Sequence, residues 1–174
     1  MEMNMTVEHP LSGLELRSKV TSGGQLVLSL EEVDIAEPSP DQLVVRMEGA
    51  PIHPSDIGLL IGPADLRTLE VKGSAKRPVV SASIPESWMS KMAPRFDQSL
   101  PVGNEGAGIV VSAGANVEAL LGKTVAIAGG STYAQYRVAH IAECLVLPDG
   151  TDPAAAAGCC VNPLTALSMV ETMQ

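Results

Sequence analysis

The run Gly103-Asn104-Glu105-Gly106-Ala107-Gly108 places one amide and one carboxylate among glycines, directly ahead of the β-branched Ile109-Val110-Val111. Glycine lets a backbone turn sharply or approach a ligand closely, and the Asn-Glu pair adds donors and acceptors at that point. The segment reads as a ligand site or as a tight bend entering a strand. A dinucleotide-binding turn puts its glycines after a strand and before a helix, whereas these precede a strand and no helical pattern follows. Gly122-Lys123-Thr124 resembles the tail of a phosphate loop, but Val117 stands where that loop needs glycine.

The elements that must hold these residues are mostly short strands. Leu26, Leu28 and Leu30 alternate with Val27, Ser29 and Glu31, and Leu43, Val45 and Met47 with Val44, Arg46 and Glu48. Both segments predict half-buried strands, separated by the turn Pro38-Ser39-Pro40-Asp41. Further strands are expected at 107–112, 123–127, 132–139 and 143–147, each bounded by Gly, Pro or Asp. Short strands so punctuated suggest a mainly β barrel or sandwich. Residues 1–24 read as a tail and lead-in. Residues 63–101 lose all periodicity, carry five prolines, and read as an irregular excursion or lid, with one helical turn at Trp88–Met92. From 153 to 174 the character is helical: Asp152-Pro153 and Asn162-Pro163 each pair a capping side chain with a preset first helical residue. Leu164, Leu167 and Val170 recur at helical steps, and the helix reaches Gln174 without a C-terminal cap, as though cut.

Composition narrows the partners. The 174 residues are 45% hydrophobic and 18% charged, enough for one core domain of residues 25–152 with extensions. A net charge of −9 with eleven scattered Lys and Arg argues against nucleic acid and against an anionic membrane surface. No signal or transit peptide is evident at the N-terminus, and no stretch is expected to span a membrane. Cys144, Cys159 and Cys160 make no disulfide framework, which fits a cytoplasmic setting. The sequon Asn4-Met5-Thr6 carries no weight without secretion.

Four segments in order, Ala50-Pro51-Ile52-His53-Pro54-Ser55-Asp56, Gly103 to Gly108, Leu147-Pro148-Asp149-Gly150 and Val161-Asn162-Pro163-Leu164-Thr165-Ala166, resemble the medium-chain dehydrogenase/reductase superfamily. Within it the chain looks most like the zinc-free quinone oxidoreductases and enoyl reductases. The resemblance implies a GroES-like catalytic domain, a partly open β-barrel with short helices, ending in the start of a helix that leads to a Rossmann domain. It further implies a nicotinamide cofactor, NADPH or NADH, bound mainly by that other domain. A small carbonyl or quinone substrate would then be reduced by hydride transfer, and the 174-residue chain alone would be inactive. A homodimer of the full-length protein is compatible with it.

The resemblance also assigns candidate residues. His53, Asp56, Asn104 and Glu105 would line the catalytic cleft: His53 and Asp56 as a polar pair, Asn104 as a donor to a carbonyl, Glu105 as a loop organiser or proton relay. Asn162 and Thr165 match positions beside the nicotinamide. In the zinc-dependent branch three ligands hold the metal, and their places map to His53, Asn104 and Val161. An amide is a poor zinc ligand and a valine is none, so no metal site is expected, although Cys160 and Glu105 stand one place from two of these positions. A substrate-directed tyrosine of several enoyl reductases falls at Ala64, while Tyr133 and Tyr136 read as packing residues; His9 and His140 receive no role. Two rival readings are a stand-alone GroES-like binding module without catalysis and a zinc alcohol dehydrogenase with atypical ligands.

Overall fold

The computed structural model describes residues 10–173, so the sequon at Asn4, His9 and Gln174 lie outside the described residues. In chain order the strands are β1 (Leu11–Val20), β2 (Gln25–Ile35), β3 (Gln42–Gly49), β4 (Asp65–Ser74), β5 (Arg77–Ser83), β6 (Ser99–Pro101), β7 (Glu105–Ala113), β8 (Thr124–Ala128), β9 (Tyr136–His140) and β10 (Cys144–Val146). The helices are α1 (Pro54–Leu60), α2 (Glu86–Met92), α3 (Pro153–Ala156) and α4 (Val161–Thr172). The fold is mainly β, with short helices at the ends of strands.

The strands form two antiparallel sheets, ordered β4-β5-β2-β1-β6 and β10-β8-β7-β3-β9. The proline-rich turn after β2 carries the chain from the first sheet to the second, and Gln42 N–H closes it on the Ser39 carbonyl at 2.9 Å. Residues 133–135 stitch the sheets together, because Leu16 N–H donates to the Tyr133 carbonyl at 2.9 Å and Gln135 N–H to the Leu14 carbonyl at 2.8 Å. The result is the partly open, GroES-like barrel expected from the sequence.

The core sits on the second sheet. Leu43, Val45, Val110, Val125 and Ile127 are fully buried on one face, while Val44 and Val111 pack with Ile35 on the other. β3 was expected to be half-buried, yet Leu43, Val44 and Val45 are all sealed, because the strand is flanked by β7 and β9 and covered on both faces. Burying each such side chain contributes roughly 1.5–3 kcal/mol.

Two segments are more regular than their sequence suggested. Residues 11–20, read as lead-in, form β1 and pair with β2 along their whole length. Residues 63–101, read as an excursion, form the β4–β5 hairpin, which extends the first sheet beside β2, and then α2, whose Met89 and Met92 pack on Val20, Leu26 and Ile84. Their order was hidden because β4 is exposed along nearly its full length and its register shifts between Asp65 and Glu70, so no face is repeatedly buried. Alternation appears only where one face is covered.

The helical end also departs from expectation. Asp152 caps α3, its Oδ1 accepting the Ala154 N–H at 3.1 Å. The second device does not operate: α4 begins at Val161 with Cys160 as its cap residue, and Asn162 lies inside the first turn. By length and composition Pro153–Thr172 passes as a candidate membrane span, contrary to the sequence expectation. Residues 157–160 divide it, however, and the 12 residues of α4 rise only about 18 Å, against the roughly 30 Å of a hydrocarbon core.

Candidate functional site

β7 opens on Glu105, whose side chain is 0% exposed and whose carboxylate is shared among three residues at the starts of two helices. Oε1 lies 2.5 Å from Nε2 of His53, immediately before α1. Oε2 accepts the Cys160 N–H at 2.9 Å and the Val161 N–H at 2.8 Å. Those are two of the amide groups that a helix start leaves without intrahelical partners, so the cap of α4 comes from a strand 55 residues upstream instead of from Asn162. The carboxyl group here sits at the positive end of the α4 dipole and against a ring nitrogen of His53.

His53 and Asp56 are joined, but through the backbone. Asp56 is the third residue of α1, and its Oδ2 accepts the His53 N–H at 2.8 Å, the reciprocal half of a capping box. The His53 ring is left free for Glu105. Asp56 is wholly buried and its Oδ1 has no hydrogen-bond partner, although the Tyr133 phenol faces it. Tyr133 donates to the Pro51 carbonyl at 2.8 Å. Burial first, then the hydrogen bond and charge of Asp56, pushes the Tyr133 phenol up to about 12. Above an ordinary tyrosine pKa of about 10, the unfolded chain loses this proton while the native protein keeps it. Stability contributed by the neutral phenol is therefore complete below pH 10 and is lost as pH rises through about 12. Tyr133→Phe is expected to flatten that loss, read as the melting temperature between pH 9 and 12, and to remove the last phenolate absorbance step.

Asn104 donates its amide to Ser55 Oγ at 2.8 Å, tying the glycine run to α1. Thr132, 1% exposed, donates its hydroxyl to the Glu105 carbonyl at 2.8 Å. Thr132 and Tyr133 also wall a cavity of about 400 Å³ together with Met47, Gly49 and Ala50, so this space abuts the polar network. Asn162 and Thr165 sit on the exposed surface of α4, apart from the buried groups, and the Thr165 hydroxyl donates to the Val161 carbonyl at 2.7 Å. The structure thus brings His53, Asp56, Asn104 and Glu105 into one network and leaves Asn162 and Thr165 at its solvent edge. Sequence reasoning missed Thr132, Ser55, the Tyr133 hydroxyl and the two peptide N–H groups. Peptide donors carry no side-chain signal; only the adjacency of Cys160 and Val161 to a mapped ligand position hinted at them.

The donor set does not suit zinc. His53 Nε2 is engaged by Glu105, Asn104 is an amide, Val161 offers no ligand atom, and among the described residues no three His, Cys, Asp or Glu side chains form a group able to hold a metal ion. Glu105 and Cys160, the register-shifted pair, do meet, but through a peptide N–H and not through the thiol.

No family model matches the chain, and no curated protein matches it. Solved structures do. A protein of Mesorhizobium loti assigned as an NADPH:quinone reductase superimposes with a TM-score of 0.62 at 24% identity over 95% of this chain and 45% of its own. One of Bacillus thuringiensis with the same assignment gives 0.61 at 28% identity, covering 90% and 40%. Escherichia coli quinone oxidoreductase, solved with NADPH, gives 0.58 at 18% identity, covering 92% and 40%. The chain therefore spans less than half the length of each protein it matches.

Proposed function

Because the chain carries the GroES-like fold of the medium-chain dehydrogenase/reductase superfamily, we propose that it is the substrate-side domain of a NAD(P)H-dependent reductase of quinones or α,β-unsaturated carbonyl compounds, working without zinc. The observation that carries this reading is the buried Glu105 carboxylate clamping the start of α4 to His53, in the fold of the Escherichia coli enzyme solved with NADPH. The nicotinamide supplies a hydride when bound; its dinucleotide is held mainly outside these 174 residues.

Each residue has a stated task in this reading. Glu105 is a positioning residue: it fixes the first turn of α4, and with it the outward-facing Asn162 and Thr165 that orient the carboxamide. Thr165 keeps its oxygen as an acceptor after donating to Val161, and Asn162 offers both an amide donor and an acceptor. Asn104 retains a second amide hydrogen beyond the one given to Ser55, available to an oxygen on which charge develops. His53 and Asp56, both nearly sealed from solvent, hold α1 against β7 and form the wall behind the cleft.

The test compares the 174-residue chain with the product of an extended reading frame, measuring NADPH and NADH oxidation with a quinone and with an enone. Turnover by the extended protein and none by the shorter chain is expected. Strong turnover by the 174 residues alone, or an extended product that binds neither nucleotide, overturns the reading.

A further inference from the structure

Cys144, Cys159 and Cys160 meet at one groove of about 450 Å³, walled by β10, the turn before α4 and the first half of α4. Leu145, Pro163, Leu164 and Leu167 give it apolar sides, and all three thiols are free. They are not equivalent. Cys144 donates its thiol to the His140 carbonyl at 3.5 Å, beside its own strand. Cys159 and Cys160 are adjacent in sequence and both line the groove, Cys159 half-buried and Cys160 buried against Ala107, Ala126, Ala156 and Ala157. Burial above all, then the neighbouring Cys159, pushes the Cys160 thiol up to about 11. Cys159 is half-buried at the groove, where a reagent reaches it.

We propose that Cys159 and Cys160 form a dithiol site for trivalent organoarsenicals, with the arsenic bridging both sulfurs and its organic substituent lying on Leu145, Leu164 and Leu167. Thiolates select soft centres, and two neighbouring sulfurs with an apolar wall suit an atom that takes two sulfurs and one carbon. A tetrahedral metal would need a larger set than the described residues bring together. With phenylarsine oxide as the probe, both thiols lose their protons and two arsenic–sulfur bonds form. The arsenic–oxygen bond breaks and the oxygen leaves with both protons as water. Arsenic stays trivalent and no electrons are transferred.

The site is coupled to the polar network by a single peptide unit. The Cys160 N–H donates to Glu105 at 2.9 Å, and Glu105 holds His53, so closing a ring through the two sulfurs shifts the amide on which that network depends. Nothing in this step requires the chain to be a reductase.

The experiment titrates the 174-residue chain with phenylarsine oxide and follows intact mass, free-thiol count and the imidazole resonances of His53. The expected result is one adduct per chain, loss of two of the three thiols, resistance to excess 2-mercaptoethanol, reversal by dithiothreitol and a shifted His53 signal. Cys159→Ser and Cys160→Ser should each leave only adducts that the monothiol strips, whereas Cys144→Ser should behave as the parent. Alkylation footprinting of the unmutated chain, which needs no variant to fold, should find Cys159, half-buried before the probe is added, newly protected and Cys144 open. Monothiol-labile binding in the parent, dithiol-grade binding that survives in Cys159→Ser, its loss in Cys144→Ser, or protection of Cys144 overturns the proposal.

Discussion

Glu105→Ala is expected to lower the free energy of unfolding by about 3–5 kcal/mol, the range seen when one partner of a buried charged cluster is removed. The size follows from what is left behind. Cys160 N–H, Val161 N–H and the His53 ring nitrogen lose their partner together, around a side chain that is itself fully buried. An isolated surface ion pair is worth at most about 1 kcal/mol, so the position of the carboxylate, and not its charge alone, sets the effect. Glu105→Gln keeps one oxygen acceptor but turns an amide NH₂ toward either His53 or the two peptide donors, and should cost a smaller amount, about 1–3 kcal/mol. Urea unfolding of the three proteins, with a common m-value, measures both. If Glu105→Ala cost less than about 1 kcal/mol, the α4 start would be held by something other than this carboxylate. In the proposed reductase the same substitution should reduce turnover, because the helix that carries Asn162 and Thr165 is no longer fixed against β7.

How much of this could be read in advance depends on where the physical signal lives. The glycine run announced itself, because glycines flanking an amide and a carboxylate imply backbone geometry and chemistry together. His53, Asp56, Asn104 and Glu105 stand out in the sequence as candidates, and the structure places them side by side, His53 bonded to Asp56 and Glu105 and Asn104 to the adjacent Ser55. Their partners were not. Glu105 satisfies peptide groups from a segment 55 residues away, and a peptide N–H looks the same at every non-proline position. Asn162-Pro163 reads locally as a helix cap, but the tertiary acceptor from β7 takes that task and the helix starts earlier. Tyr133 reads as packing because its strand context says so, and its hydroxyl gains meaning only when Pro51 and Asp56 arrive beside it. The β4–β5 hairpin escaped for the opposite reason: its outer strand β4 is real but solvated, and burial is what writes periodicity into a sequence.

Gly103→Ala is expected to be the other large effect, about 2–6 kcal/mol, as the sum of two separable costs. Gly103 has a φ of +98°, which an L side chain rarely adopts. A Cβ there would also press on Thr132 Oγ1 and lie 2.7 Å from Tyr133 Cδ1 and 2.8 Å from the Tyr133 amide nitrogen, inside any ordinary contact. The turn cannot relax away from these atoms without cost, since Tyr133 N–H donates to the Val102 carbonyl at 3.1 Å and Thr132 to the Glu105 carbonyl at 2.8 Å. Gly150 separates the two terms. Its φ is +83° with nothing within 4 Å of a built Cβ, so Gly150→Ala carries strain without collision and should cost only about 1–3 kcal/mol. The difference between the two variants is the price of the collision alone. It should appear together with a weakened Thr132–Glu105 bond, seen as faster hydroxyl and amide exchange around residues 102–105 and 132–133. Equal losses in the two variants would mean that the glycine is required only for its backbone angle. A larger loss at Gly103 would mean that the first glycine of the run serves as the close approach that seats Asn104 and Glu105 against Thr132, Tyr133 and α1.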